Sequence, residues 1–338
     1  MAKVVKTLLG RWNDYKYRFL PWIAFNMKNR SVRAVPHASL DKLLPDATVE
    51  KSLLVFCTAL ERSQTIENFS ASSAKPFAQE IQTEHEAQLC EACEIKRTNL
   101  LAEQEIEHLG LQHRNVASYD TIVAHCGCIL PYHLNTDART PLDVMHSVLG
   151  FTIERAPSRI AGGGTGVVVT RGVVPKGCVL ALYPGTVYAV HEPILIQSLG
   201  NQFIFRCLDG ILIDGNDRGI SKMIYKSCSQ RERIGPYMTS DMTWFSDDRV
   251  NPMAVGQYIN NHTKDCAANV DYQEFDVPLS FPLNLRKYLP NVFYSTEHQY
   301  AGEDYESRRW LRTVVLVSVR EIQEGEELLS SYFTTVVQ

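Results

Sequence analysis

The apolar run from Thr313 to Val319, which reads TVVLVSV, constrains the fold of this chain more than any other stretch. Nearly all of its residues are β-branched or apolar, and it lacks the regular polar positions of an amphipathic helix or of a half-exposed strand. We therefore expect a strand covered on both faces, inside a core in the C-terminal part of the chain. A turn is predicted at 324–327, and the aromatic hydroxyl of Tyr332 follows soon after it.

The first 33 residues differ in charge from the rest of the 338-residue chain. They hold eight Lys and Arg residues against one acid, Asp14, so this segment carries +7 and the remainder carries −11. We expect a basic helix that packs through its aromatic side chains. A mitochondrial transit peptide is the alternative, which the many large aromatics and the single serine, Ser31, disfavour.

The nine cysteines argue against a disulfide framework, because their number is odd and the N-terminus lacks an apolar secretory segment. We expect an intracellular protein, in the nucleus or the cytoplasm. No run of 18 apolar residues is present, so no membrane span is predicted. Cys90, Cys93, Cys126 and Cys128 could supply a tetrahedral zinc site. Their spacing is poor and the first pair lies in a helical pattern, so we predict thiols without metal.

Helical patterns dominate residues 1–149. Apolar residues recur at spacings of three and four between Val49 and Leu60, which predicts an amphipathic helix. Small polar residues predict a loop over 63–75, and a charged periodic stretch predicts a second helix from Pro76 to about residue 111.

A short helix is predicted over Pro141–Leu149 from its end signals. Thr140 is a typical N-cap, a proline follows at the first helical position, and Asp143 lies near the positive end of the helix dipole. Gly150 is the expected stop.

The pattern changes at about residue 150 to short β-branched runs broken by glycine and proline. We predict an α+β protein with a mainly helical region at 1–149 and a β-rich domain at 150–338. Two long polar stretches, at about 218–251 and 278–309, lack strand patterning and are interpreted as insertions or loops.

Two clusters could carry chemistry. Gly162 to Gly166, GGGTG, precedes a predicted strand and would let a ligand or another backbone approach closely, although a flexible turn explains it equally well. It lacks the residues of a phosphate-binding loop. Asn260, Asn261 and His262 follow an apolar pair, where they must bond backbone groups or hold a ligand.

Four motifs in order resemble the landmarks of SET-domain lysine methyltransferases. They are Gly164-Thr165-Gly166 before a strand, Tyr183-Pro184-Gly185, YINNHT at 258–263, and GEELLSSY at 325–332. The resemblance covers about residues 151–336 and is interrupted by the two polar stretches. It implies a fold of small curved sheets with a C-terminal pseudoknot.

The resemblance also implies a cofactor, a substrate and site residues. S-adenosylmethionine would bind Gly164, Thr165 and Gly166 through main-chain groups, and would contact Asn260, Asn261 and His262. Tyr332 would border the cofactor and orient the amine of a lysine in a protein substrate. No metal is required, and we expect neither membrane nor nucleic acid as a partner.

The sequence departs from the family pattern in several places. Gln257 replaces an arginine, Ser330 stands where many members have an aromatic residue of the lysine channel, and no cysteine-rich segment follows the domain before Gln338. We expect another element to complete the channel. Two registers fit the motif, with either Asn260-Asn261 or Asn261-His262 as the Asn-His pair. The departures motivate an alternative function as a catalytically inactive interaction module.

Overall fold

The computed structural model describes residues 32–35, 42–72, 140–233, 237–295, 310–331 and 333–336. The helices are α1 (Asp46–Ser72), α2 (Pro141–Leu149), α3 (Leu195–Ser198) and α4 (Gly219–Arg231), with 3₁₀ turns at Gly256–Tyr258 and Leu283–Tyr288. The strands before α4 are β1 (Val32–Val35), β2 (Phe151–Pro157), β3 (Thr165–Gly172), β4 (Val179–Tyr183), β5 (Gly185–Tyr188), β6 (Ile204–Arg206) and β7 (Leu212–Asp214). The strands after it are β8 (Asn260–Asn261), β9 (Val270–Val277), β10 (Asn291–Phe293), β11 (Leu311–Ser318), β12 (Leu329–Ser330) and β13 (Phe333–Val336).

Strand β11 is the centre of the main sheet. It pairs antiparallel with β4 on one side and with β9 on the other, so that Val315 lies opposite both Leu182 and Gln273. Every residue from Thr313 to Ser318 is buried. The predicted strand with both faces covered is therefore confirmed.

The remaining sheets are small. One has the order β10-β5-β7-β6, and pairs are formed by β2 with β3, β8 with β12, and β1 with β13. Together with the helices they make a mixed fold of α+β type, as predicted. The pseudoknot stays a prediction.

Helix α2 is confirmed down to its caps. The Thr140 hydroxyl accepts a hydrogen bond from the Asp143 N–H at 3.1 Å, and the Asp143 carboxylate accepts one from the Thr140 N–H at 3.2 Å. Gly150 ends the helix in the left-handed region, at φ 80°, where glycine is favoured. Local sequence alone thus sets both ends of this helix.

Helix α1 confirms one prediction and corrects another. Val49, Leu53, Phe56 and Leu60 are buried on one face, as their spacing predicts. The loop predicted over 63–75 is wrong at its start, because the helix continues to Ser72. The small polar residues there lower helix propensity, but no glycine or proline stops the helix.

The two polar stretches contain regular structure that the sequence did not predict. Residues 219–231 form α4, whose buried face consists of Ser221, Tyr225, Cys228 and Ser229. The second stretch contains the 3₁₀ turn Leu283–Tyr288 and strand β10. Interpreting these stretches as loops is therefore wrong, while their being insertions into the family fold stays a prediction.

The chain divides into two compact units, one of residues 1–61 and 126–338 and one of residues 62–125. The predicted boundary near residue 150 does not coincide with the limits of these units, which fall at 61/62 and 125/126. Apolar residues of α1 and α2 belong to the same core as the main sheet. As a division into domains, the boundary near residue 150 stays a prediction. The basic helix predicted over the first 33 residues is wrong at its end, because residues 32 and 33 belong to β1, and its other residues lie outside the described part of the chain. The helix predicted from Pro76 to about residue 111 also lies outside it. No helix in the described part combines the length and the hydropathy needed to cross a membrane.

Candidate functional site

The glycines of the Gly164-Thr165-Gly166 motif serve two different purposes. Gly164 has φ +63° and open space where a side chain would point. Gly166 is crowded: a Cβ there would touch the carboxylate of Glu327, coming within 2.9 Å of its Cδ, and would lie 3.3 Å from the Asn260 amide. Glycine is thus favoured at 164 by backbone conformation and at 166 by the close approach of side chains from two other landmarks.

The Glu327 carboxylate joins three of the four landmarks. It accepts hydrogen bonds from Ser158 Oγ at 2.6 Å, from the Arg159 N–H at 2.8 Å and from Asn260 Nδ2 at 3.2 Å. The same Asn260 amide donates to the carbonyl oxygen of Thr165 at 3.1 Å. The glycine motif, the Asn-Asn-His motif and the GEELLSSY motif therefore meet at one carboxylate.

The segment after Glu327 lies beside the Asn-Asn-His motif. Strand β12 pairs in parallel with β8, with Leu329 opposite Asn260 and Ser330 opposite Asn261. The His262 N–H donates to the Ser330 carbonyl at 2.9 Å. All three predicted residues of this motif are thus brought to the terminal segment. Which pair contacts the cofactor stays a prediction.

Asn269 holds the terminal segment in place. Its Nδ2 donates to the Glu327 carbonyl at 2.9 Å, and its Oδ1 accepts from the Leu329 N–H at 2.8 Å. Its own N–H donates to the Leu329 carbonyl, and its carbonyl accepts from the Val319 N–H. The buried Asn269 side chain thus bonds backbone groups of the terminal segment as a neighbouring strand would.

An aromatic cluster connects the fourth landmark to Ser330. Tyr183 of the Tyr-Pro-Gly motif packs against Phe205 and Tyr272, with ring centroids 5.3 and 6.4 Å away. The fully buried Ser330 donates from Oγ to the Tyr272 hydroxyl oxygen at 3.0 Å. Tyr272 therefore brings an aromatic hydroxyl next to the residue that the sequence shows as a departure. Tyr332, the predicted catalytic residue, lies outside the described residues.

A cavity of about 570 Å³ opens beside the glycine motif. Its lining includes Gly164 and Thr165 from the motif, Arg155 from β2 and Tyr258 from the turn before β8. Asn260, Asn261, His262 and Gly166 are not among the described residues that line it. The rest of the lining comes from a segment outside the motifs: Asp217, Arg218, Lys222, Phe245, Ser246 and Asp247.

Several polar and charged side chains in the cavity are hydrogen-bonded or ion-paired to one another. The Tyr258 hydroxyl donates to Asp217 Oδ2 at 2.5 Å, and the Arg155 guanidinium lies 3.7 Å from the same oxygen. Arg155 also donates to the Ser246 carbonyl at 2.8 Å and to Asp247 Oδ1 at 3.0 Å. Burial, with the hydrogen bond to Asp217, raises the pKa of Tyr258 to about 12, so its hydroxyl remains a donor near neutral pH.

A second cluster of potential ligands is already neutralised. Cys207, Asp209 and Glu274 lie close enough to share an ion. The Arg312 guanidinium pairs with Asp209 at 3.0 Å and with Glu274 at 2.9 Å, so a cationic side chain takes the place an ion would have. The four cysteines considered as zinc ligands, Cys90, Cys93, Cys126 and Cys128, lie outside the described residues.

Sequence reasoning missed most of the residues that organise this site. Glu327 and Asn269 stand within or just after recognised motifs, where the need to bond the buried backbone beside a motif could have suggested them. Asp217, Arg155 and Phe245 are far apart in the chain, and no local pattern marks them.

Comparison with known proteins gives the family. No protein-family model matches the chain. The chain is 43% identical over 337 residues to SET domain-containing protein 9 of Homo sapiens, covering 99% of each protein. It is 44% identical over 306 residues to the protein of the same name from Pongo abelii, covering 90% of this chain and 97% of that one. The chain belongs to the SET-domain family, as its four motifs predict.

Proposed function

We propose that this chain is an S-adenosylmethionine-dependent protein-lysine N-methyltransferase. The meeting of the glycine motif, Asn260 and Glu327 at one carboxylate carries the proposal, because a family site needs these motifs side by side. The contact from Tyr183 through Tyr272 to Ser330 adds the fourth motif to the same neighbourhood.

In our proposal the cofactor occupies the cavity beside the glycine motif and extends beyond it to Asn260, Asn261 and His262, which are not among the described residues of its lining. A volume of about 570 Å³ lies within the range of roughly 300–1,000 Å³ that is usual for small-molecule sites. Gly164 leaves room for a ligand to reach the main chain. The lining offers an aromatic ring and charges of both signs, which suits a molecule with a purine, a sulfonium and a zwitterionic amino-acid end.

The chemistry asks mainly for alignment. When bound, S-adenosylmethionine supplies a methyl group that an amine can displace in line from the sulfonium. A lysine amine, with an ordinary pKa of about 10.4, must first lose its proton, and an apolar channel favours this loss. In our proposal the aromatic rings of Tyr183, Phe205 and Tyr272 exclude water near this channel, and the Tyr332 hydroxyl orients the amine.

The terminal segment supports a threaded arrangement of the kind the family has. Strand β12 lies beside β8, and Asn269 bonds both ends of the Glu327–Leu329 segment. We propose that this segment forms the pseudoknot and brings Tyr332 to Asn261 and His262.

The test is transfer of labelled methyl groups from S-adenosylmethionine to a protein array, with cofactor binding measured separately by calorimetry. We expect Tyr332→Phe to bind the cofactor normally and to lose about 100-fold or more in transfer, because the oriented hydroxyl acts on the reacting amine. Tyr237→Phe, at an exposed position, is the matched control.

Two outcomes would count against the proposal. Equal transfer by the wild type and Tyr332→Phe rules out the role given to Tyr332. Cofactor binding without transfer to any protein would favour the inactive interaction module, which the buried and altered positions Gln257 and Ser330 suggest.

A further inference from the structure

The cavity wall that lies outside the family motifs is built by the segment from Asp217 to Asp247. It contributes Asp217, Arg218, Lys222 and Phe245 to the lining. Phe245 is held from behind by Trp244 and Tyr225, with ring centroids 4.6 and 5.4 Å away. Among the described residues of this wall, Phe245 is therefore fixed by packing against two other aromatic rings.

One carboxylate oxygen of Asp217, Oδ1, can accept a further hydrogen bond. Its side chain is 10% exposed, and Oδ2 already accepts the Tyr258 hydroxyl. Oδ1 is buried and has no hydrogen-bond partner within the described part of the chain. Arg218 Nε lies 3.6 Å from Oδ1, too far for a direct bond. A buried carboxylate oxygen without a donor is costly, so a cationic N–H group from a ligand would be favourable here.

Two cations complement this carboxylate. Lys222 lines the cavity with its ammonium group 5.0 Å from the centroid of the Phe245 ring. Arg218 lines it with a side chain that is 86% exposed and whose Nε lies 3.6 Å from Asp217 Oδ1. The cavity lining thus contains three cationic side chains, Arg155, Arg218 and Lys222, and two anionic ones, Asp217 and Asp247, together with Gly164 and Thr165. Arg155 and Asp247 already pair with each other at 3.0 Å.

We propose that this wall recognises the amino-acid end of the cofactor, with Asp217 binding the α-ammonium group and Lys222 and Arg218 binding the α-carboxylate. The inference rests on the proposed function, because it takes the cavity to be the cofactor site. The glycine motif lies in the same lining, and it is the motif that the family resemblance assigns to the methionine part of the cofactor.

The experiment compares two probes by calorimetry on the full-length protein. S-adenosylhomocysteine carries the amino-acid end, and 5′-methylthioadenosine has the same nucleoside without it. We expect Asp217→Asn to weaken S-adenosylhomocysteine binding about tenfold or more, since a charge-assisted hydrogen bond is lost. Binding of methylthioadenosine should change less than about twofold, because this probe has no α-ammonium group for Asp217 to bind.

A matched lysine pair tests the cationic side. Lys222→Met should weaken S-adenosylhomocysteine binding, whereas Lys226→Met should not, because Lys226 lies 5.8 Å from the same ring without lining the cavity. Asp217→Asn keeps an oxygen that can accept the Tyr258 hydroxyl, and thermal unfolding checks that each variant is folded.

The outcomes separate this inference from the proposed function. If the wild type binds S-adenosylhomocysteine and both Asp217→Asn and Lys222→Met bind it equally well, the recognition by this wall is wrong and the proposed function stands. Equal losses for both probes would also overturn it. A wild type that binds neither probe contradicts the proposed function itself.

Discussion

The frame and the wall of the candidate site follow different rules. The frame, defined here as Glu327, Asn269 and the strands around them, bonds its buried polar groups repeatedly: Glu327 accepts three donors, and both side-chain atoms of Asn269 are paired. The wall, residues 217–247, keeps buried side-chain oxygens without a hydrogen bond among the described residues, such as Asp217 Oδ1 and Glu232 Oε1.

The difference separates what must stay fixed from what can respond. The frame shares the main core, whereas the wall packs on a small separate cluster of Tyr225, Cys228, Trp244, Ala254 and Val292. Because these charged groups are buried and incompletely hydrogen-bonded, we expect the wall to be sensitive to pH and to a ligand. We expect mutations in the frame to cost the most stability.

The largest effect is expected at Asn269. Asn269→Ala leaves the Glu327 carbonyl and the Leu329 N–H buried without their partner, which should lower the free energy of unfolding by about 2–5 kcal/mol. Urea denaturation measures the loss. Asn216→Ala, directly before the wall, removes one exposed hydrogen bond from the Arg218 N–H at the start of the wall and should cost less than about 1 kcal/mol. Similar losses at the two sites would remove the contrast between frame and wall.

The two motif glycines should differ in mechanism. Gly166→Ala brings a methyl group against the Glu327 carboxylate and should lower the free energy of unfolding by about 2–4 kcal/mol. Gly164→Ala has open space for its methyl group, so only the unfavourable positive φ should lower the free energy of unfolding, by about 1–2 kcal/mol. A double-mutant cycle with Glu327→Ala, followed by urea denaturation, tests the cause. Gly166→Ala should couple to it and Gly164→Ala should add to it. Additive behaviour at both glycines would contradict the crowding argument.

The smallest effect concerns pH and the wall. Burial raises the pKa of Glu232 from 4.5 to about 7, and the nearby Arg231 only partly opposes this. Between these values the folded protein holds a proton that the unfolded chain has released, so stability from this group falls as pH rises from about 4.5 to 7.

Glu232→Gln should therefore gain stability over the wild type by about 1–3 kcal/mol at pH 8, with little gain at pH 5. Urea denaturation of the wild type and of Glu232→Gln at each pH measures the difference in their free energies of unfolding. Groups that titrate alike in both proteins cancel in this difference. An equal gain at both pH values would mean that the effect is not protonation.

The sequence predicts those parts of the fold whose cause is local or strongly apolar. The run Thr313–Val319 and the capped helix at Pro141–Leu149 are of this kind. Helix α4 was missed because its buried positions 221, 225, 228 and 229 have helical spacing but are mostly small or polar. A pattern of hydrophobicity cannot reveal a face made of Ser, Tyr, Cys and Ser.

The site divides in the same way. Motif order predicted that the glycine strand, the Asn-Asn-His motif and the terminal motif come together, and Gly166, Asn260 and Glu327 do meet. Asp217 and Phe245 could not be predicted, because their position depends on how α4 and the following residues pack. Tertiary packing rather than local spacing decides such residues.

The pairing of β1 with β13 bears on how the protein folds. Val32 lies opposite Phe333, about 300 residues further along the chain, and Phe333 directly follows Tyr332. Contacts of such long sequence separation carry a high loop-closure entropy and form late in folding. The residues that follow Tyr332 should then be among the last to become ordered, so that the candidate site is completed only when the rest of the protein has already folded.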